Sequence, residues 1–124
     1  MNADRLLRIA LIAVGLIFVF GIYLLGIVWP SGWTWGQVHS HYLHMILGVY
    51  ATLGVFLLLA SRNPQANRSL IWFTVWSSVV HGAIMAAQSF RDPMEKGHLV
   101  GDVPALFIVA ILLGVLMWRV EKTV

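Results

Sequence analysis

The sequence predicts an all-α, four-helix transmembrane bundle in one domain. Three observations lead there. The chain is 60% hydrophobic and only 10% charged, against about 45–50% apolar and about 25% charged residues in a soluble domain. Its apolar residues gather into four runs of near-membrane length. The connections between them are short and carry most of the polar residues. With 124 residues, one small domain is the limit.

The first span is residues 9–28, after a polar start with Arg5 and Arg8. The basic start resembles a signal peptide. However, the apolar part runs to about 20 residues, beyond the 7–15 of an ordinary signal core, and no small-x-small cleavage site follows. A retained helix is expected. About 20 residues at 1.5 Å each cross the ~30 Å hydrocarbon layer. Pro30 and Gly32 end the span, since the residue before proline avoids helical angles.

Residues 29–41 hold Trp29, Trp33 and Trp35, with Tyr42 just beyond. Trp and Tyr favour the headgroup level, so this loop is expected to lie flat on the membrane. It also carries His39 and His41. The second span is 42–60, with Ser40 as its N-cap. Ser61-Arg62-Asn63-Pro64 ends it.

The third span is 70–90, entered after an Asn67 or Ser69 cap and closed by Arg91-Asp92-Pro93. The fourth is 103–118, with Asp102 as N-cap and Pro104 in the first turn, where a missing N–H costs nothing. Short loops predict antiparallel up-down-up-down packing. Gly15, Gly48, Gly54 and Gly82 let the backbones approach.

Lys and Arg fix the expected orientation. Arg5, Arg8, Arg62, Arg68, Arg119 and Lys122 belong to one side, and only Arg91 and Lys96 to the other. By the positive-inside rule both termini are cytoplasmic. The same asymmetry accounts for the formal charge of +3. No basic run is interleaved with exposed aromatics, so nucleic acid is excluded as a partner. Cysteine is absent, which excludes disulfides, thiolate nucleophiles and thiolate metal sites.

One stripe carries the candidate binding residues. Thr74, Ser78, His81, Met85 and Gln88 fall at steps of four, three, four and three, on one face of the third helix. A histidine at membrane depth is costly and marks a candidate site. Counting residues inward brings Tyr50 of the second helix level with His81, so a hydrogen bond between them is expected where those faces meet. Two readings of His81 follow. One is a buried histidine satisfied by Tyr50 or Ser78. The other is an anchor for a quinone, lipid or haem-like molecule, or a proton carrier, beside adaptable Met85 and amide-bearing Gln88. A haem clamped between His44 and His81 is excluded, because the two lie ~9 Å apart along the axis.

Nearer the exterior, Tyr23, His44, Gln88 and Asp102 are expected at one level. His41, His44, Glu95, His98 and Asp102 are the weak candidates for a divalent metal, since imidazole and carboxylate suit such ions. Interfacial histidines and a capping aspartate explain the same residues without metal. No zincin motif, phosphate loop or nucleophile elbow occurs, so no enzyme activity is expected. No cofactor is identified by the residues.

Leu47-Gly48-Val49-Tyr50, Ser61-Arg62-Asn63-Pro64, Trp76-Ser77-Ser78-Val79-Val80-His81-Gly82, Arg91-Asp92-Pro93 and Gly101-Asp102-Val103-Pro104-Ala105 resemble a family of small bacterial four-helix membrane proteins of unknown function. The layout also looks like the DoxX-like group. The first resemblance, to a bacterial family, implies topology and little else; the placement of the basic residues is that expected of an inner-membrane protein. The second implies association with respiratory or other membrane complexes. Minimal loops, small-residue helix faces and the absence of a catalytic constellation make the leading expectation a non-enzymatic accessory or structural subunit. It would contact the lipid bilayer and either other membrane-protein subunits or further copies of itself. The alternatives are a binding bundle centred on His81, and metal or proton handling by the outer histidines.

Overall fold

In a computed structural model, the described residues are 2–34 and 41–122. All regular structure among them is helical. Helix α1 spans Ala3–Val28, α2 is the single turn Pro30–Trp33, α3 is His41–Ala60, α4 is Arg68–Arg91 and α5 is Asp102–Lys122. Turns of 3₁₀ helix, Pro64–Asn67 and Pro93–Val100, lead into α4 and α5. Four helical stretches are long and apolar enough to cross a membrane: Ala3–Val28, His41–Ala60, Pro64–Arg91 and Pro93–Lys122. Their outward faces stay apolar, with Phe20, Trp76, Ile108 and Ile111 all more than 60% exposed. These features suggest a multi-pass membrane protein.

The helices overrun the apolar runs at both ends of the chain. Asn2 caps α1 by accepting from the Arg5 N–H, and Asp4 pairs with Arg8 at 2.8 Å one turn on. This local support draws Arg5 and Arg8 into the helix. At the other end, α5 continues past Trp118 to Lys122. Lys122 lies over the Trp118 ring, 4.2 Å from its centroid. Asp102 is the first residue of α5 and bonds a histidine instead of serving as a cap. Asn67 precedes α4 without a side-chain capping bond. The Ser40 cap, Trp35 and His39 lie outside the described residues.

The core gathers Leu7, Leu11, Val14 and Phe18 of α1, Leu57 of α3, Ile71 and Val75 of α4, and Leu113 and Met117 of α5. Helix α4 packs chiefly on α5, and α3 leans on α1. The α1–α3 crossing is set by two glycines. A Cβ on Gly54 would lie 2.7 Å from the Gly15 carbonyl oxygen, and one on Gly15 would lie 2.9 Å from that of Gly54. Only glycine permits this backbone contact.

Polar contacts tie both ends of the bundle. At one, Arg8 donates to the carbonyls of Ser61 and Arg62. There too, Glu121 accepts from Trp72 at 2.8 Å and from Arg68 at 2.9 Å. At the other, the Pro93–Val100 turn seats on α2, with Gly97 and Gly101 lying directly on the backbone of Ser31 and Gly32. The chain at 29–34 is thus folded onto the bundle end.

A chamber beneath the outer loops

Helix α1 is not uniform. Residues Ile17–Gly21 form a π turn, in which the Ile22 N–H reaches the Ile17 carbonyl five residues back. Such turns interrupt α-helices at functional sites more often than elsewhere. Here Ile17, Phe18, Gly21 and Ile22 all face a cavity of about 380 Å³. Its remaining wall comes from Leu25 of α1 and from α2, α3, α4 and α5, and is apolar except for Trp33, Tyr50, His81 and Asp102. A volume of this size suits a small molecule.

Tyr50 and His81 meet across the chamber wall. The Tyr50 hydroxyl is hydrogen-bonded to His81 Nδ1. The two rings stack with centroids 5.6 Å apart, and Phe18 meets Tyr50 edge-on at 5.1 Å. This is the pair expected from residue counting. When the tyrosine donates to Nδ1, a neutral imidazole carries its own proton on Nε2. Among the described residues Nε2 has no hydrogen-bond partner. Trp33 supplies a second N–H: its Nε1 is buried and unpaired among the described residues. Trp33 and His81 are thus two of the few polar-bearing residues of a largely apolar chamber.

Asp102 bridges the chamber to a buried knot above it. His98 is 1% exposed. Its Nδ1 lies 2.8 Å from Asp102 Oδ1, and its Nε2 lies 3.0 Å from Glu95 Oε2 and 3.1 Å from the Thr34 carbonyl. Carboxylates and a carbonyl all accept, so a ring with N–H at both nitrogens satisfies the whole set. The knot fastens the turn before α5 to the chain just after α2.

The stripe on α4 divides three ways. His81 and Met85 line the chamber. Gln88 is exposed and lines a second, groove-like cavity of about 440 Å³ with Tyr42 and Ile84. Thr74 and Ser78 are buried but touch neither cavity, and the Thr74 hydroxyl bonds the Leu70 carbonyl of its own helix at 2.9 Å. They lie two turns and one turn from His81 towards the start of α4.

The expected outer layer does not assemble. Tyr23, His44 and Gln88 are exposed, whereas Asp102 is buried on His98. Equal depth did not specify rotation about each helix axis. Of the metal candidates, Glu95, His98 and Asp102 come together, but His98 directs both ring nitrogens at the partners above. His41 and His44 sit exposed on α3. Among the described residues, no group of three or more His, Asp or Glu side chains is arranged to hold a metal ion.

Sequence reasoning missed Trp33, whose indole reads as an interfacial anchor, and the α1 wall. The signal for the latter is faint: Ile9–Val28 is apolar almost throughout, so the phase shift of a π turn leaves no mark in the pattern.

Residues 2–122 match a family described as "Family of unknown function (DUF6632)". The chain belongs to this family. Neither the search of curated proteins nor that of solved structures finds a match. Membership of DUF6632 agrees with the resemblance to an uncharacterised family; the DoxX-like likeness is not shown. For a DUF6632 protein the chamber is therefore the feature from which function has to be argued.

Proposed function

We propose that the chain is a non-catalytic binding bundle for a small, lipid-soluble molecule bearing hydrogen-bond acceptors, of the quinone type. One observation carries this reading: an apolar chamber of about 380 Å³ whose wall includes Trp33 and the hydrogen-bonded Tyr50–His81 pair. An apolar cavity with a few convergent polar groups is how small-molecule sites are built. A carbonyl oxygen on a ring would accept from His81 Nε2–H, while Phe18, Met85 and the Trp33 indole pack its faces. The setting we infer is a bacterial inner membrane, with up-down helices and both termini cytoplasmic. It rests on the distribution of Lys and Arg and places the chamber toward the exterior face.

The test is calorimetric titration of the purified protein in lipid nanodiscs with 2-decyl-1,4-benzoquinone, with empty nanodiscs as the blank. Saturable binding is expected. His81→Ala should weaken it about tenfold, the worth of one hydrogen bond. Absence of saturable binding, or wild-type affinity in His81→Ala, overturns the reading.

A second reading, an accessory subunit of a larger membrane assembly, is favoured by the outer face of α3. A Cβ on Gly48 would meet nothing within 4 Å, and Thr52 one turn on is exposed. Small residues on an open face suit another transmembrane helix. Gly48→Leu is expected to fold normally yet lose a partner subunit in gentle co-purification. A wild-type protein that purifies alone as a monomer contradicts this reading.

A further inference from the structure

Two cavities meet at His81. The chamber and the groove share Leu43, Ile46, His81 and Met85, so these side chains form a common partition. Beyond the partition the groove runs between α3 and α4. These helices are consecutive in the chain yet touch only sparsely. The rim residues Tyr42, Ile46 and Ile84 are exposed at 81%, 47% and 53%. In a bilayer that rim faces acyl chains, not water. The partition itself is soft: Met85 is unbranched and adaptable, and Leu43 and Ile46 belong to a helix held mainly from its other side by α1.

We propose that the α3–α4 groove is the lateral portal of the chamber, and that the ligand is a single-chain amphiphile. Its polar ring lies beside Tyr50 and His81, and its apolar tail leaves through the groove into the bilayer. This rests on the binding reading above and adds to it the direction of arrival and the shape of the ligand. The argument is continuity: a tail attached to a ring at His81 reaches lipid by passing Met85 and Ile46, without breaking the His98 knot. Gln88 sits on the groove wall, where its amide can meet a polar substituent at the start of the tail.

Ile84 lines the groove and not the chamber, which makes Ile84→Trp the informative variant. Two probes are titrated in nanodiscs: 2-decyl-1,4-benzoquinone, and the same ring with a methyl in place of the decyl chain. The variant is expected to weaken the decyl probe at least fivefold and leave the methyl probe within twofold of wild type. Ile111→Trp, on the exposed face of α5, should change neither. As a second measurement on the wild-type chain, a decyl probe ending in a diazirine is photolysed and the labelled peptides are mapped. Label on residues 42–46 and 84–88 is expected. Wild-type affinity for the decyl probe in Ile84→Trp, or label confined to α5, overturns the portal while methyl-probe binding leaves the chamber reading standing. Failure of both probes to bind the wild-type chain overturns both.

Discussion

Replacing His98 with alanine is expected to destabilise the fold by about 3–5 kcal/mol, the cost of removing one member of a buried ionic set. The imidazole is 1% exposed and stands between Asp102, Glu95 and the Thr34 carbonyl. Alanine removes the His98 ring from Asp102, itself only 7% exposed, and leaves two acidic side chains near each other. Both effects act in the same direction. The loss should appear at the end of the bundle where Pro93–Val100 seats on α2. Hydrogen exchange there should therefore accelerate before that of the Leu11–Leu113 core. His98→Gln, with one amide donor group in place of two ring N–H groups, should recover part of the loss. Reversible unfolding in mixed micelles measures it, and a change under about 1 kcal/mol for His98→Ala would refute the structural role assigned to the knot.

Gly54→Leu is the second large effect. The new Cβ would stand 2.7 Å from the Gly15 carbonyl oxygen, 2.8 Å from a methyl of Val19 and 2.9 Å from the Phe18 Cβ. A flexible side-chain tip can swing away, but a carbonyl in a helix cannot move without carrying its turn along. The α1–α3 crossing must open, and the Phe18–Tyr50 contact at 5.1 Å opens with it. Overpacking of this kind costs about 1–3 kcal/mol, here at the upper end because backbone is the obstacle. The same substitution at Gly48, six residues earlier on α3, meets open space and should stay within about 0.5 kcal/mol. Equal unfolding free energies for the two leucine variants would contradict the crossing geometry.

The pattern of apolar runs specified the four helices because a bilayer demands about 20 apolar residues and little else. The ends were harder to read. Arg5 and Arg8 look like a polar leader, and only the Asp4–Arg8 pair and the Asn2 cap reveal them as helical. Tyr50 and His81 were legible because both depths could be counted from helix ends. The failure of Tyr23, His44, Gln88 and Asp102 to gather has the same source: counting gives height but not azimuth. Thr74 and Ser78 illustrate it in reverse, sharing a face with His81 yet lying buried away from the chamber. The chamber itself was illegible, since a void depends on how five helices pack and not on any one of them. Trp33 was hidden because an indole beside a membrane looks alike whether it anchors in headgroups or closes a cavity.

The π turn at Ile17–Gly21 divides α1 into segments answerable to different constraints. Before it, Leu7, Leu11 and Val14 are fixed by the core. After it, no residue of Ile22–Val28 is fully buried, and Ile22 and Leu25 look onto the chamber. A looser turn rotates the chain less per residue than an α-helix, whose step is about 100°, so the second segment keeps its own phase. The helix acts as a shaft with a coupling in it. Substitutions on the chamber side can change the shape of the cavity without transmitting torque to the packed half, and the core can vary without re-aiming the chamber wall.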